Sequence, residues 1–500
     1  MKFLLMLWST NFLSEAFGFF NWVGIFHFLN ILFLSFLIRS GIEILGAHPK
    51  LYWNDDCRLG SEWLRFSRQK LPKDKLWTSK EEEVSFSPWI ALPGGKNLGM
   101  GRHWHFFTVV FWILSGVFYA ALLFGTGEWR RLIPTALSVF PAAWQTALTY
   151  LSFNLPPPGN PYNPIQQLTY AGVVFLLAPL TIATGAAMSP AVAARFPFYT
   201  RIFGGRQAAR SIHFLCLVAF CLFTLGHVFL VLIEDAPRNI GWIIHGERRG
   251  YETLSIIVAL AGLVVVGILH VAATKISLRN PRAVQRALGV VTQAVRRPLL
   301  HHLTSRQNYR ERDVSPFARV NGDSPETAEY TELSQSNFKD WRLNVGGLVE
   351  TPLELSLDEL RTMPNQTQIT KHNCIQGWSY IAKWTGVSVA DVLARSKPLP
   401  DARYVLFRAF DVDEKGRDYY EVIDLELAKH QQTVLAFEMN GAPLSVPHGA
   451  PCRLRVETQL GFKMAKYLRS IELVADFRSI GDGQGGYRED TQFYDTLASI

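Results

Sequence analysis

Five apolar stretches dominate the first 275 residues, at Phe19–Ile38, Phe106–Phe124, Leu168–Met188, Ile212–Ile233 and Leu254–Ala273. Each has the length of about 20 residues that an α-helix needs to cross a bilayer. A backbone in hydrocarbon must satisfy its own hydrogen bonds, so this part of the chain is expected to fold as a bundle of five transmembrane helices. Residues Met1–Leu7 lack a small-residue cleavage site before the long Phe19 run and read as a lead-in to the first span. The loop between the first two spans carries mixed charge, several Trp and the turn Pro93-Gly94-Gly95, and is expected to form an ordered cap on one membrane face. Arg130–Pro158 is amphiphilic and ends in three prolines, which suits the interface rather than a span.

After Ala273 the texture changes. Lys275, Arg279, Arg282 and Arg286 open a polar stretch, and from Trp341 short alternating runs such as Trp341–Val345 and Tyr404–Phe407 interleave with helical pieces at Leu357–Met363 and Val389–Arg395. That mixture predicts an α+β domain. The expected division is a membrane domain over 1–275, a linker over 276–315 and a soluble domain over 316–500. The net charge of +8 sits in loops that flank apolar runs, the habit of membrane proteins, and nucleic acid is not an expected partner. Cysteines at 57, 216, 221, 374 and 452 form no CxxC or CxxCH pattern, which leaves zinc ribbons, thioredoxin chemistry, covalent haem and a disulfide framework without support.

Ionisable side chains inside spans are costly and tend to mark function. His213 and His227 lie 14 residues apart in the fourth span. At 100° per residue they sit within about 40° of one face and roughly 21 Å apart along the axis, one near each membrane surface. His27 and His105 supply candidates on the first and second spans. Four imidazoles so placed fit two bis-histidine b haems, and two cofactors are what an electron needs to cross a bilayer. The alternative is that each histidine bonds a carbonyl on a neighbouring helix. His103 points to a different face from His105, and His270, without a partner at its depth, reads as structural.

In the soluble part, Cys374 follows Gln368-Ile369-Thr370 and precedes Gly377-Trp378, which places it at a strand-to-turn junction where a thiolate can reach a bound metal. The alternative is a small buried hydrophobe.

Two resemblances sharpen this reading. His27-Phe28-Leu29-Asn30, Ser40–Ile44 with His48–Trp53, Trp104–Phe107, and Phe203–Gln207 leading to His213 resemble the membrane b-type cytochromes that anchor hydrogenases, formate dehydrogenases and thiosulfate reductases. That resemblance implies two haem b groups, with His27 paired to His227 and His105 to His213, and a quinone or quinol partner. Cys374–Ser379, Leu435–Gly441, His448–Pro451 with Arg453, and Gly461–Lys466 resemble the sulfite oxidase-type molybdopterin oxidoreductases, a family that includes methionine sulfoxide reductases. It implies a molybdopterin cofactor with Cys374 as the thiolate ligand of molybdenum. Arg453, Lys463, Met464, Ala465 and Lys466 would hold the pterin pyrophosphate, and Arg319 and Asn321 are further pterin candidates. A soft thiolate suits the metal, and Lys and Arg suit a buried phosphate. Sulfite oxidases typically carry arginines just after the metal cysteine. Here Ile375-Gln376-Gly377 follows, which resembles the reductase branch, although Lys371, His372 and Arg408 keep an anionic substrate open.

The expected function is a membrane-bound, molybdenum-dependent oxidoreductase that passes quinol electrons through two haems to a site reducing a small S-oxide or N-oxide. The alternatives are a sulfite-type dehydrogenase running the other way and a non-catalytic electron-transfer scaffold. Loop charges place the soluble domain inside the cell. Arg248-Arg249-Gly250-Tyr251, which resembles a twin-arginine export signal, places it outside the cytoplasmic membrane, and that orientation is the expectation.

Overall fold

The computed structural model describes residues 21–69, 77–157, 159, 162–246, 250–300, 307–413, 416–496 and 498–500. The Met1–Leu7 lead-in and the Arg248-Arg249 pair lie outside the described residues. The membrane part contains α1 (Trp22–Ala47), α2 (Leu98–Gly125), α3 (Val139–Leu151), α4 (Pro164–Met188), α5 (Arg206–His245) and α6 (Glu252–Arg279). All but α3 are long and apolar enough to span a bilayer, and α3 lies in the stretch expected at the interface. The helices run past the apolar cores because local signals, not hydrophobicity, set their ends. Asn21 caps α1 through its side-chain oxygen, and Asn163 with Gln166 forms a capping box ahead of Pro164. α5 breaks where Asp235 leaves helical geometry and Pro237 lacks an N–H.

The turn at Pro93-Gly94-Gly95 is held from α1. The Glu43 carboxylate accepts the Gly94 N–H at 2.9 Å and the Asn97 N–H at 2.6 Å, satisfying donors at the start of α2 that no helical carbonyl reaches. Gly94 and Gly95 both take positive φ there, which a side chain would oppose. Described residues elsewhere in this loop pack as part of the expected cap. β1 (Lys50–Leu51) pairs with β2 (Leu64–Arg65), and Tyr52, Cys57 and Glu82 are buried.

The stretch 276–315, expected to be a linker, contains a helix. α7 (Pro281–Leu300) is an amphipathic helix whose Val284 and Leu288 pack on Met100 of α2. Residues 307–315 lie along the soluble domain, with the Tyr309 and Ser315 N–H groups bonded to the carbonyls of Ile369 and Ile381. The dense basic residues hid the helical spacing of these apolar positions.

The soluble domain is α+β, as expected. One sheet has the order β10 (Ala442–Pro443), β9 (Thr433–Met439), β6 (Ser379–Ser388), β5 (Asn365–Asn373), with β11 (Arg453–Val456) also pairing β9. The other runs β4 (Leu353–Ser356), β3 (Arg342–Gly347), β12 (Leu468–Val474), β7 (Tyr404–Val412), β8 (Asp418–Asp424). β12 lies parallel to β3 and all other pairings are antiparallel. Alternate residues of both sheets, among them Leu343, Val405, Phe407, Leu454 and Ile471, fill one core with Trp341. The hairpin of β5 and β6, in register from Asn365↔Val387 to Asn373↔Ser379, carries its tip toward the membrane helices.

Candidate functional site

Cys374 sits at that tip. Its N–H donates to the Trp378 carbonyl at 3.0 Å and the Gly377 N–H returns to the Cys374 carbonyl at 3.1 Å, a closed turn that needs Gly377 at φ +113°. The side chain is buried at the floor of the turn, and burial pushes its thiol up to about 12. Left alone it is therefore a neutral thiol, and a bound metal cation is what would make it a thiolate. Asn321 Nδ2 lies 3.6 Å from Sγ and Gln376 Oε1 lies 3.5 Å from it. Among the described residues no three His, Cys, Asp or Glu converge on a metal-binding point. A metal here would depend on Cys374 plus ligands that the cofactor itself brings, which is how a pterin-borne metal is held.

Beside this turn opens a cleft lined by His372, Ile375, Gln376 and Trp378. Arg453 reaches it from the start of β11, donates to the His448 carbonyl at 2.8 Å, stacks on Trp384 and buries an Nε–H that has no acceptor among the described residues. Arg319 likewise buries an unpaired Nε–H. Such orphaned donors suit the oxygens of a phosphate, and the cleft fits a molybdopterin in this respect. Lys466 Nζ donates to the Asn321 carbonyl (2.8 Å), the Pro447 carbonyl (3.1 Å) and the Tyr467 hydroxyl (3.0 Å). Burial, with Arg453 close by, lowers its pKa to about 7. Met464 lines the cleft as expected.

Three residues named from the sequence have side chains engaged away from the cleft. Lys463 is fully enclosed between Glu421 and Glu489, where its ammonium is held by both carboxylates. The Ala465 side chain faces the hydrophobic core, and its carbonyl accepts from the Leu454 N–H. Arg408 pairs with Glu472 on the far sheet, at 2.8 Å, and does not line the cleft. Arg319 does line the cleft, but it also clamps the membrane cap. It pairs with Glu82 at 2.7 Å and donates to the Tyr52 hydroxyl and the Cys57 carbonyl. Glu82 also pairs with Lys50. Burial alone would raise the Glu82 pKa, yet His48, Arg319 and Lys50 hold it at about 2.

Several contacts of the site carried no signal in the sequence. Glu83 of the cap accepts from Gln376 Nε2 at 2.5 Å and fixes the side chain beside Cys374. Lys371 pairs with Asp55 of the cap at 3.0 Å. His372 Nδ1 accepts from Arg455, which is itself locked bidentate on Glu457, so the imidazole beside the cysteine stays neutral. Arg488, from the C-terminal segment, lies over Tyr419 and Tyr487 and lines the cleft. Each partner lies far away in sequence, and no local spacing records such pairs.

The four span histidines share one arrangement. His27 Nδ1 bonds the Val23 carbonyl (2.9 Å), His105 Nδ1 the Ser40 hydroxyl (3.0 Å), His213 Nδ1 the Thr181 carbonyl (3.0 Å) and His227 Nδ1 the Tyr170 hydroxyl (3.3 Å). No described contact engages Nε2 on any of them, and a fixed Nδ1 with an available Nε2 is how a haem-ligating imidazole is presented. His103 instead turns to the Phe493 carbonyl at 3.0 Å. His270 is tied to Ser35 and Arg39, both at 2.8 Å, and stacks on Phe36.

Residues 19–245 match the family model described as prokaryotic cytochrome b561, and residues 330–479 match that of the oxidoreductase molybdopterin binding domain. A protein of Azospira oryzae that carries the provisional name protein-methionine-sulfoxide reductase subunit YedZ1 is 37% identical over 35% of this chain and 60% of its own. The protein-methionine-sulfoxide reductase catalytic subunit MsrP of Xanthomonas axonopodis pv. citri is 33% identical over 35% of this chain and 54% of its own. The chain thus spans little more than half the length of the curated relatives it matches. Among solved structures, the sulfane dehydrogenase SoxCD from Paracoccus pantotrophus aligns over 35% of this chain and 45% of its own, at 22% identity and a TM-score of 0.28. The chain joins a membrane domain of the prokaryotic cytochrome b561 family to a domain of the molybdopterin-binding oxidoreductase family.

Proposed function

We propose that this chain is a self-contained membrane oxidoreductase in which quinol electrons pass through two b haems to a molybdenum site that reduces a small S-oxide or N-oxide. The observation that carries this reading is the placement of Cys374. It lies buried beside a basic cleft that its neighbours His372, Ile375, Gln376 and Trp378 line, on a turn seated against the helix that bears His213 and His227. Bound there, molybdopterin would supply the oxygen-atom chemistry. The overall change balances: a sulfoxide takes up two electrons and two protons, its sulfur–oxygen bond breaks, and a sulfide and one water leave. The protein's part is to hold the cofactor phosphate with Arg453 and Lys466, to fix the cysteine with Asn321 and Gln376, and to wall the cleft from the membrane with Glu83 and Arg319. His27 with His227 and His105 with His213 would ligate one haem each.

The replacement Cys374→Ser tests this. Turnover of S-oxides should vanish while both haems remain reducible by quinol, because the change strikes only the catalytic end. Retained turnover would refute the assignment.

Arg488 favours a second reading in the same cleft. It makes no ion pair among the described residues, and a guanidinium so placed suits an anionic substrate oxidised in a sulfite-type direction. Haem reduction by sulfite without quinol would select that reading. The molybdenum domain is proposed to face the outside of the cytoplasmic membrane, supported by the resemblance of Arg248-Arg249 to an export signal.

A further inference from the structure

The Cys374 turn is gripped by membrane-domain residues at several points, and two of them begin α5. Gln207, wholly buried, donates its side-chain N–H to the Gly377 carbonyl at 2.8 Å. Arg206, also buried, donates to Asn373 Oδ1 at 2.8 Å and to the Met188 carbonyl at 3.0 Å. The Gln207 N–H is in turn held by Asp55 at 2.9 Å. From Gln207 the backbone runs six residues to His213, about 9 Å of helix at 1.5 Å per residue.

We propose that the first turn of α5 is the electron bridge between the cysteine site and the nearer haem, with Gln207 and Arg206 as the positioning residues that make it. The inference rests on the function proposed above. Electronic coupling decays less steeply through covalent and hydrogen bonds than across van der Waals gaps. The route from Cys374 is continuous in that sense. The Cys374 carbonyl accepts from the Gly377 N–H, the Gly377 carbonyl accepts from Gln207, and the helix ladder continues to His213. The other grips lead elsewhere. Glu83 and Asp55 belong to the cap loop, which bears none of the four span histidines. Ala47 of α1 and Leu98 of α2 share an apolar cluster with Ile375 of the turn, whereas α5 reaches the turn through the described hydrogen bonds of Gln207 and Arg206 and also carries a proposed haem ligand, and the same helix continues to His227 at the other depth. Each electron that crosses leaves a ferrous haem ferric and lowers the metal by one oxidation unit, and two crossings complete one oxygen removal.

Flash photoreduction of the full-length, cofactor-loaded protein with deazaflavin tests the bridge without any substrate. One electron enters a ferric haem, and its return to the ferric form as the metal gains the electron is followed optically. Gln207→Met keeps the length and burial but removes the donor, and Arg206→Met removes the neighbouring one. Each should slow that return tenfold or more, with haem content, molybdenum content and haem midpoint potentials unchanged. Arg206→Lys, which retains a donor, should recover most of the rate. The bridge is overturned if either Met variant at full cofactor load stays within twofold of the parent, or if the loaded parent shows no such phase. Failure of the functional reading would look different: molybdenum or the second haem would be missing from the parent protein itself.

Discussion

Lys466 shows how one side chain can couple cofactor and pH. Burial and Arg453 bring its pKa from the ordinary lysine range down to about 7, so the free cleft holds a neutral amine above that pH. A phosphate group needs the ammonium form, and binding above pH 7 must therefore take up a proton. The expected outcome is an affinity for molybdopterin about fiftyfold weaker at pH 9 than at pH 7, the linkage for one proton. Pterin released during gel filtration at the two pH values measures it. Lys466→Arg, whose charge does not titrate in this range, should flatten the dependence. The sequence made Lys466 and Lys463 look alike, three residues apart in one motif. Only the fold shows Lys463 closed between two carboxylates that come from β8 and the C-terminal segment.

At the scale of elements, the sequence was informative where chemistry and periodicity coincide. Imidazoles in apolar runs stand out because so little else there is ionisable, and the 14-residue spacing on α5 could be read without a structure. His213→Ala and His227→Ala should each remove one haem, as counted by pyridine haemochrome per chain. His270→Ala should leave that count unchanged, because its ring ties α6 to Ser35 and Arg39 of α1 and belongs to neither pair. Loss of haem in the His270 variant would mean that this tie supports a haem pocket. The ends of elements were less legible. α1 continues to Ala47 because Glu43 and Gly46 face the cap, where hydropathy no longer reports on the environment. α7 was missed because Arg282 and Arg286 interrupt the run that Val284 and Leu288 share.

For the molecule as a whole, the odd number of spans among the described residues places the start of α1 and the soluble domain on opposite faces. The proposed orientation puts the soluble domain outside. Protease added to intact spheroplasts should then remove it, and Arg248→Lys with Arg249→Lys should leave it protected inside. If protease cuts only after lysis of cells making the parent protein, the orientation is the reverse.

The clamp of Glu82 on Arg319 and Lys50 has a further consequence. It is buried, and a second tie joins the same two parts, in which the carbonyl of Gln492 packs directly on Gly99 of α2 and Arg282 of α7 holds the carbonyls of Glu489 and Asp490. The two halves are thus joined by surfaces that owe nothing to the peptide bond between them. Separated into two genes, with the break placed within residues 301–306, they should still meet as partners. What the fusion contributes is a local concentration that makes the meeting independent of expression level.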